Sequence, residues 1–342
     1  MDYIELEYAW IATAAGIMPV FKGALIRGAL GYVLREAACQ RGWDTSCGEC
    51  DLLLECSYAR LFEAEDRNGS LPGGFRDAPR PYVIEILDDR RRVRPGDSVR
   101  FTLRLLGTAI GLGATLTKVV EMANIRGVWL GDISGQYVLI RATLHTADDA
   151  LFAGVKGGFH ANTLQRGRPK EVSVVLRGSR DKLDGEMRVR LQSWMVLKRD
   201  SEPLARFDKH VFATAILRRL ETTLRLYGRT EDADALRERR EDLLTQWGET
   251  EIVVDRTHAG RWGRKSSRQG KRYEMDAIGG EVVLRGVSRT WDSLLQMAQA
   301  IHIGKGCTFG LGAFTVERVT DVQSVPMAAE PSGENPHAPT VE

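Results

Sequence analysis

Residues 3–10, YIELEYAW, place Ile4, Leu6, Tyr8 and Trp10 on one face and Glu5 and Glu7 on the other. That two-residue period predicts a half-buried strand. Residues 22–38, KGALIRGALGYVLREAA, change period, with Ile26, Ala29, Leu30, Val33 and Ala37 on one helical face. This switch of period, met again later in the chain, constrains the fold more than any other feature. A cysteine-bearing loop and the Pro/Gly-rich stretch LPGGFRDAPRP follow. PYVIEIL and SVRFTLRLL then read as paired strands across a turn at Pro95, Gly96 and Asp97. TAIGLGATLTKVVEMAN reads as a second helix, and QYVLIRATLHT as a strand.

The pattern then restarts. EVSVVLR and EMRVRLQSWMVL are strand-like, and HVFATAILRRLETTLRLYG is a helix with Phe212, Ile216, Leu220 and Leu224 at i, i+4 spacing. DADALRERREDLLTQW extends the helical region. EIVVD, a basic stretch and GGEVVLRG read as a long hairpin, TWDSLLQMAQAI as a last helix and AFTVERV as a last strand. Strand, helix, strand, strand, helix, strand is the ferredoxin-like (RRM-like) split arrangement. The expectation is an α+β chain with two such domains in tandem. The first spans 1–160 with a cysteine-bearing insertion at 39–56, and the second spans 171–320. A basic linker, 161–170, joins them, and a Pro/Ser/Glu-rich tail, 321–342, is expected to be disordered.

The 48 basic and 46 acidic residues nearly cancel. Their distribution is uneven, because residues 256–272 hold seven Lys/Arg and no Asp or Glu. Such a run is a candidate polyanion contact, or a solvated loop. No apolar run is long enough to cross a bilayer, and MDYIELEY is no signal peptide, so a cytoplasmic protein with no membrane partner is expected. Four of five cysteines, Cys39, Cys47, Cys50 and Cys56, fall within eighteen residues. Thiolates at these separations can close a tetrahedral structural zinc site. The paired C-x-x-C signature is absent, and the alternative is four thiols packed as small hydrophobes. Four thiolates would leave no open coordination position, so the site is not expected to be catalytic.

HIGKGCTFGLGAF, residues 302–314, packs four glycines between Gly304 and Gly312 directly after the last helix. Glycine serves where another backbone, or a phosphate, must come close. This segment resembles the C-terminal glycine-rich loop of the RAMP superfamily, and specifically the CRISPR-associated precursor-RNA processing endoribonucleases, the Cas-six family. Three other segments agree, in the correct order. These are ALIRGALGYVLREAACQ running into CGECDLLLECSYARLFE, then HVFATAILRRLETTLRLYG, then RWGRKSSRQGKRYEMDAIGGEVVLRG.

The resemblance implies a RAMP fold of two ferredoxin-like domains that binds CRISPR repeat RNA and cuts precursor crRNA within each repeat. The implied cut needs no metal. A 2′-hydroxyl attacks the neighbouring phosphate, leaving a 2′,3′-cyclic phosphate and a 5′-hydroxyl. Retention of the product for an effector complex of other Cas proteins is also implied. Such a reaction asks for a base, an acid and a cation or backbone donors for the charge on phosphorus. Histidine suits either proton role.

His302 is the first choice for proton transfer, the alternative being a half-buried histidine whose charge suits a helix end. Lys305 is the candidate cation, and Tyr32 and Lys22 are lesser candidates. Gly304, Gly306, Gly310 and Gly312 would let backbone N–H groups approach phosphates and let the loop lie against the first domain. Arg256, His258, Arg261, Arg264, Lys265, Arg268, Lys271 and Arg272 would grip the RNA. Trp262 would stack on an unpaired base or anchor the hairpin. Two departures stand out. The first domain has no histidine before His145, and LQSWMVL lacks the Thr-Pro pair often found in that strand of the family. The first keeps open a non-catalytic RNA-binding subunit of an effector complex on the same fold, and the second leaves the register of that strand open.

Overall fold

The structure is a computed structural model. It describes residues 1–12, 15–63, 78–86, 90–113, 115–116, 128–129, 136–145, 151–153, 170–171, 180–266 and 271–319. Residues 161–169 of the basic linker, the tail and much of the expected helix after Gly113 lie outside these residues, as do His160, Arg268 and His337.

In the first half, β1 (Asp2–Ala12) leads through a loop into α1 (Gly23–Ala38). A short helix α2 (Ser57–Phe62) precedes β2 (Tyr82–Ile86), β3 (Ser98–Leu106) and β4 (Gln136–His145). The sheet order is β2-β3-β1-β4, with every neighbouring pair antiparallel. The alternation predicted for β1 is seen, with Ile4, Leu6 and Tyr8 in the core beside Val99, Phe101, Leu103 and Leu105 of β3. Ile26, Leu30 and Leu34 of α1 cover that face. The segment expected to open a helix after β3 forms a 3₁₀ turn at Gly107–Leu112.

In the second half, β5 (Glu186–Met195) and α3 (Lys209–Tyr227) are followed by two short helices, α4 (Thr230–Glu238) and α5 (Arg240–Gly248). Asp208 caps α3 by accepting from the amides of His210 and Val211 at 3.0 and 2.9 Å. Phe212, Ile216, Leu220 and Leu224 all enter the core, as their spacing predicts. The expected hairpin is one long strand, β8 (Lys271–Arg285), paired with two partners, β6 (Glu251–Asp255) and β7 (His258–Ser266). The break between them falls where Gly280, at φ 103°, lets the Arg256 carbonyl approach to where a Cβ would stand. Helix α6 (Arg289–Ile301) and β9 (Phe314–Val319) complete the unit. Its sheet order, β6-β8-β5-β9, is antiparallel throughout. This mixed α+β architecture, with two sheets in the same relative strand order, is consistent with tandem ferredoxin-like units.

The halves are joined by packing. Met1 and Leu106 enter the second core, and the Tyr227 hydroxyl donates to the Pro79 carbonyl at 2.5 Å. Lys170 and Glu171 pair with Tyr3 and Asp2 at the start of β1. No helix among the described residues is long and apolar enough to cross a membrane.

Candidate nucleic-acid interface

The glycine-rich loop is a joint between the halves. Gly304, Gly306, Gly310 and Gly312 all have positive φ, between 73° and 94°. Gly312 is the tightest, since a Cβ there would lie 1.8 Å from the Ile303 carbonyl oxygen. Opposite the loop, a Cβ on Gly23 at the start of α1 would lie 1.8 Å from the Phe309 carbonyl oxygen. A β-carbon at Gly310 would touch the Ile84 carbonyl of β2 at 3.2 Å. The glycines therefore let the loop fold tightly and lie against α1 and β2.

The amide inventory narrows what a phosphate could reach. Gly310 and Gly312 donate to the Cys307 and Trp194 carbonyls at 3.1 and 3.0 Å. Those two amides are satisfied inside the protein, which corrects the expectation that all four glycines offer N–H groups to phosphates. Lys305 N donates to Val196 O, and Leu311 N to Gly306 O. Among the described residues, the successive amides of Gly306, Cys307 and Thr308 have no such acceptor, and they adjoin Lys305, whose side chain is exposed.

His302 is 0% exposed. It ends α6 at φ 55°, ψ 154°, a region almost confined to glycine and worth about 1–3 kcal/mol of backbone strain. Its Nε2 lies 3.4 Å from Nη1 of Arg104 on β3. Arginine can only donate, so Nε2 presents its lone pair and the ring proton is assigned to Nδ1. Burial, then the charges of Arg104 and Arg219, push its pKa down to about 3, against a small upward pull from the Leu311 backbone. The imidazole is neutral at pH 7, so the charged helix-end alternative does not hold. As placed, it is out of reach of RNA. Arg104 is itself held by Glu5 at 2.6 Å and Glu85 at 2.5 Å, and Arg219 donates to the Ile301 carbonyl at 3.3 Å. His302 thus closes a chain of polar contacts from the first sheet to the end of α6.

Trp262 of β7 is 1% exposed. Its ring packs against Phe21 and Phe309, each at 6.1 Å between centroids. It is the anchor of the hairpin, and its ring is not free to stack on a base. Arg27 of α1 adds a second tie, lying 5.0 Å from the Phe309 ring and donating to the Tyr82 hydroxyl at 3.0 Å.

The strand that lacks Thr-Pro has a register shift between Leu191 and Met195, and Trp194 stands within it. The Trp194 ring occupies the space that side chains at Gly260 and Gly279 would fill. It meets the exposed His258 edge-on at 5.5 Å. The Trp194 and Val196 carbonyls, meanwhile, hold Gly312 and Lys305 of the loop. This short segment therefore links His258 and Lys305, and sequence reasoning did not assign it that role. Its signal in the sequence was the missing Thr-Pro pair.

Arg256 and Arg261 are exposed and face acids, Arg256 at 3.6 Å from Glu281 and Arg261 at 3.2 Å from Asp276. Arg264, Lys265, Lys271 and Arg272 lie on the far part of the β7–β8 ribbon, in register Arg264 to Tyr273 and Lys265 to Arg272. Tyr32, 57% exposed, stacks on Trp43 at 5.0 Å. It belongs with the cysteine loop. Lys22 is 2% exposed, directly before the Gly23 contact.

Cys39, Cys47, Cys50 and Cys56 line one cavity of roughly 360 Å³ between α1 and α2. Among the described residues no three His, Cys, Asp or Glu side chains are grouped closely enough to hold one metal ion. The Cys39 thiol is pulled below its usual range, chiefly by the Arg41 backbone, while burial pushes Cys47 up.

Residues 189–314, which include most of β5, then α3, the basic ribbon, α6 and the loop, match the family model described as CRISPR-associated endoribonuclease Cas6. Over residues 189–314 the chain is homologous to the Cas6 family. Residues 1–160 of this homologue match a second family, described as the AF_1859 N-terminal domain. The fold is similar to that of a product complex of Thermus thermophilus Cas6, with TM-score 0.54 and 16% identity over 92% of this chain and 99% of that one. It is also similar to a chain of a partial Cas6-RT-Cas1–Cas2 complex, with TM-score 0.54 and 11% identity. There the match covers 93% of this homologue and 46% of the other chain. No curated protein matches by sequence. RNA binding and endoribonuclease activity are consistent with the Cas6 homology.

Proposed function

We propose that this Cas6 homologue cuts CRISPR repeat RNA at the surface where the glycine loop meets the β7–β8 ribbon. The observation that carries this reading is the Trp194–Val196 segment, which ties exposed His258 to exposed Lys305 beside the engaged loop. Lys305 and the amides of Gly306, Cys307 and Thr308 would stabilise the charge growing on the phosphate as a 2′-hydroxyl attacks. His258 would move the proton, a role worth about 10²–10⁴ in rate. Products would be a 2′,3′-cyclic phosphate and a 5′-hydroxyl. His302, buried and neutral, is a positioning residue that fixes the loop against Arg104. The ribbon arginines and lysines would hold the RNA backbone, reading shape more than sequence. Retention of the product for assembly with other Cas proteins is part of the same reading.

Incubation of labelled repeat RNA in EDTA, with analysis of the product ends, tests this. One cut per repeat that is lost in His258→Ala and Lys305→Ala, with binding kept, is the expected result. Binding without cutting under all conditions would identify a non-catalytic crRNA-binding subunit instead. For the cysteine loop we propose a structural zinc, which the thiol positions fit only if the loop draws inward around the ion. Zinc content of wild-type protein against a Cys47→Ser/Cys50→Ser variant tests it, one zinc per chain and none being the expected pair.

A further inference from the structure

The β1–α1 loop and the turn between β2 and β3 meet in a small ribbon, with Gly16 paired to Val93 and Ile17 to Arg92. Its main chain is well fixed. Met18 N donates to Arg91 O at 2.6 Å, and Ala12 exchanges hydrogen bonds with Gly96 and Asp97 at 2.9 and 2.8 Å. Val93 and Met18 are buried beneath it. Arg91, Arg92 and Arg94 on this turn are all exposed. Some exposed arginines elsewhere face acids, as Arg41 faces Asp51, Arg180 Asp242, Arg285 Glu186 and Arg318 Asp292, while Arg60, Arg206, Arg237 and Arg289 are exposed singly with no ion pair among the described residues. Arg91, Arg92 and Arg94 make no ion pair with any described residue.

Position gives these charges their meaning. Three residues beyond Met18, Phe21 packs on Trp262 of the basic ribbon. Three residues span at most about 10 Å. Two residues beyond Phe21, Gly23 seats the glycine loop. The arginine turn therefore borders the junction from the first-half side, as the β7–β8 ribbon does from the second.

We propose that Arg91, Arg92 and Arg94 form a second phosphate-binding edge, which carries the RNA strand across the junction onto the first half. The inference rests on the RNA-binding reading above and adds the first-half residues to it. The ligand chemistry is a run of phosphodiesters, because adjacent exposed guanidiniums with no ion pair among the described residues suit phosphate oxygens.

The test is fluorescence anisotropy with labelled repeat RNA of the host array, titrated at several salt concentrations. Wild type is compared with Arg91→Ala/Arg92→Ala/Arg94→Ala, with the same triple change to Lys, and with Arg264→Ala/Lys265→Ala. Each phosphate contact to a single strand contributes about 0.7 to the slope of log affinity against log salt. The alanine triple should lower the slope by about 2 and weaken binding about 100-fold at 0.1 M salt. The lysine triple should stay near wild type. A normal slope in the alanine triple, with binding weakened in the Arg264/Lys265 variant, would overturn this edge alone and point to a protein partner for it. A lysine triple as weak as the alanine triple would also overturn it. Wild-type protein that fails to bind the repeat would overturn the parent reading and this one together.

Discussion

His302 makes the two halves of this protein sensitive to acid. Its pKa lies near 3 in the folded chain and near 6.5 in an unfolded one. Between these values the unfolded chain binds one more proton, so folding stability falls as pH falls through 6.5 and levels off below about 3. The slope is at most about 1.4 kcal/mol per pH unit. Moving from pH 7.5 to pH 5 should therefore remove about 2 kcal/mol through this residue alone. In His302→Gln that contribution vanishes, while the carboxylates, common to both proteins, titrate as before. Urea unfolding of both proteins at pH 7.5 and 5.0 gives the difference directly. The variant is expected to be less stable at pH 7.5, because it fits the Arg104 contact poorly, and to lose about 2 kcal/mol less on acidification. Equal losses in the two proteins would refute the buried, neutral imidazole.

Gly312→Ala and Gly23→Ala each place a β-carbon 1.8 Å from a carbonyl oxygen, and each should cost more than about 2 kcal/mol, read by thermal unfolding. Gly28→Ala, on an open face of α1, should add about 0.5–1 kcal/mol, and any destabilisation there would contradict the helix geometry. Trp262→Ala should cost about 3–5 kcal/mol and loosen the ribbon, seen as faster amide exchange in β7. A Lys305→Ala protein should unfold at the wild-type temperature yet cut saturating repeat RNA at least about tenfold more slowly, and an unchanged rate would remove Lys305 from the reaction.

Much of the fold was legible because it is written in local periodicity. The alternation of residues 3–10 and the i, i+4 row from Phe212 to Leu224 predict β1 and α3 without knowledge of any partner. The glycine loop was legible too, by composition. What escaped depends on distant contacts. His302 has the side chain of a proton carrier, but its burial is set by Arg104, 198 residues earlier in the chain. Trp262 had two readings until Phe21 and Phe309 were seen against it. The hairpin read as a single ladder, whereas Gly280 admits the Arg256 backbone and splits the partner strand. The Arg90–Arg94 run drew no notice because Asp88, Asp89 and Asp97 balance it in sequence, although among the described residues Asp97 pairs with Arg90 and accepts from the Arg94 amide, and the Arg91, Arg92 and Arg94 guanidiniums make no ion pair.

The central claim is that the phosphodiester to be broken lies between Lys305 and His258. A crystal structure with repeat RNA carrying a 2′-deoxy nucleotide at the mapped cleavage site measures this directly. The Lys305 ammonium and the His258 ring should both lie within hydrogen-bonding reach, about 3 Å, of that nucleotide's sugar and phosphate. A scissile phosphate seated on the cysteine loop, or against an exposed His302 in an opened joint, would contradict the account.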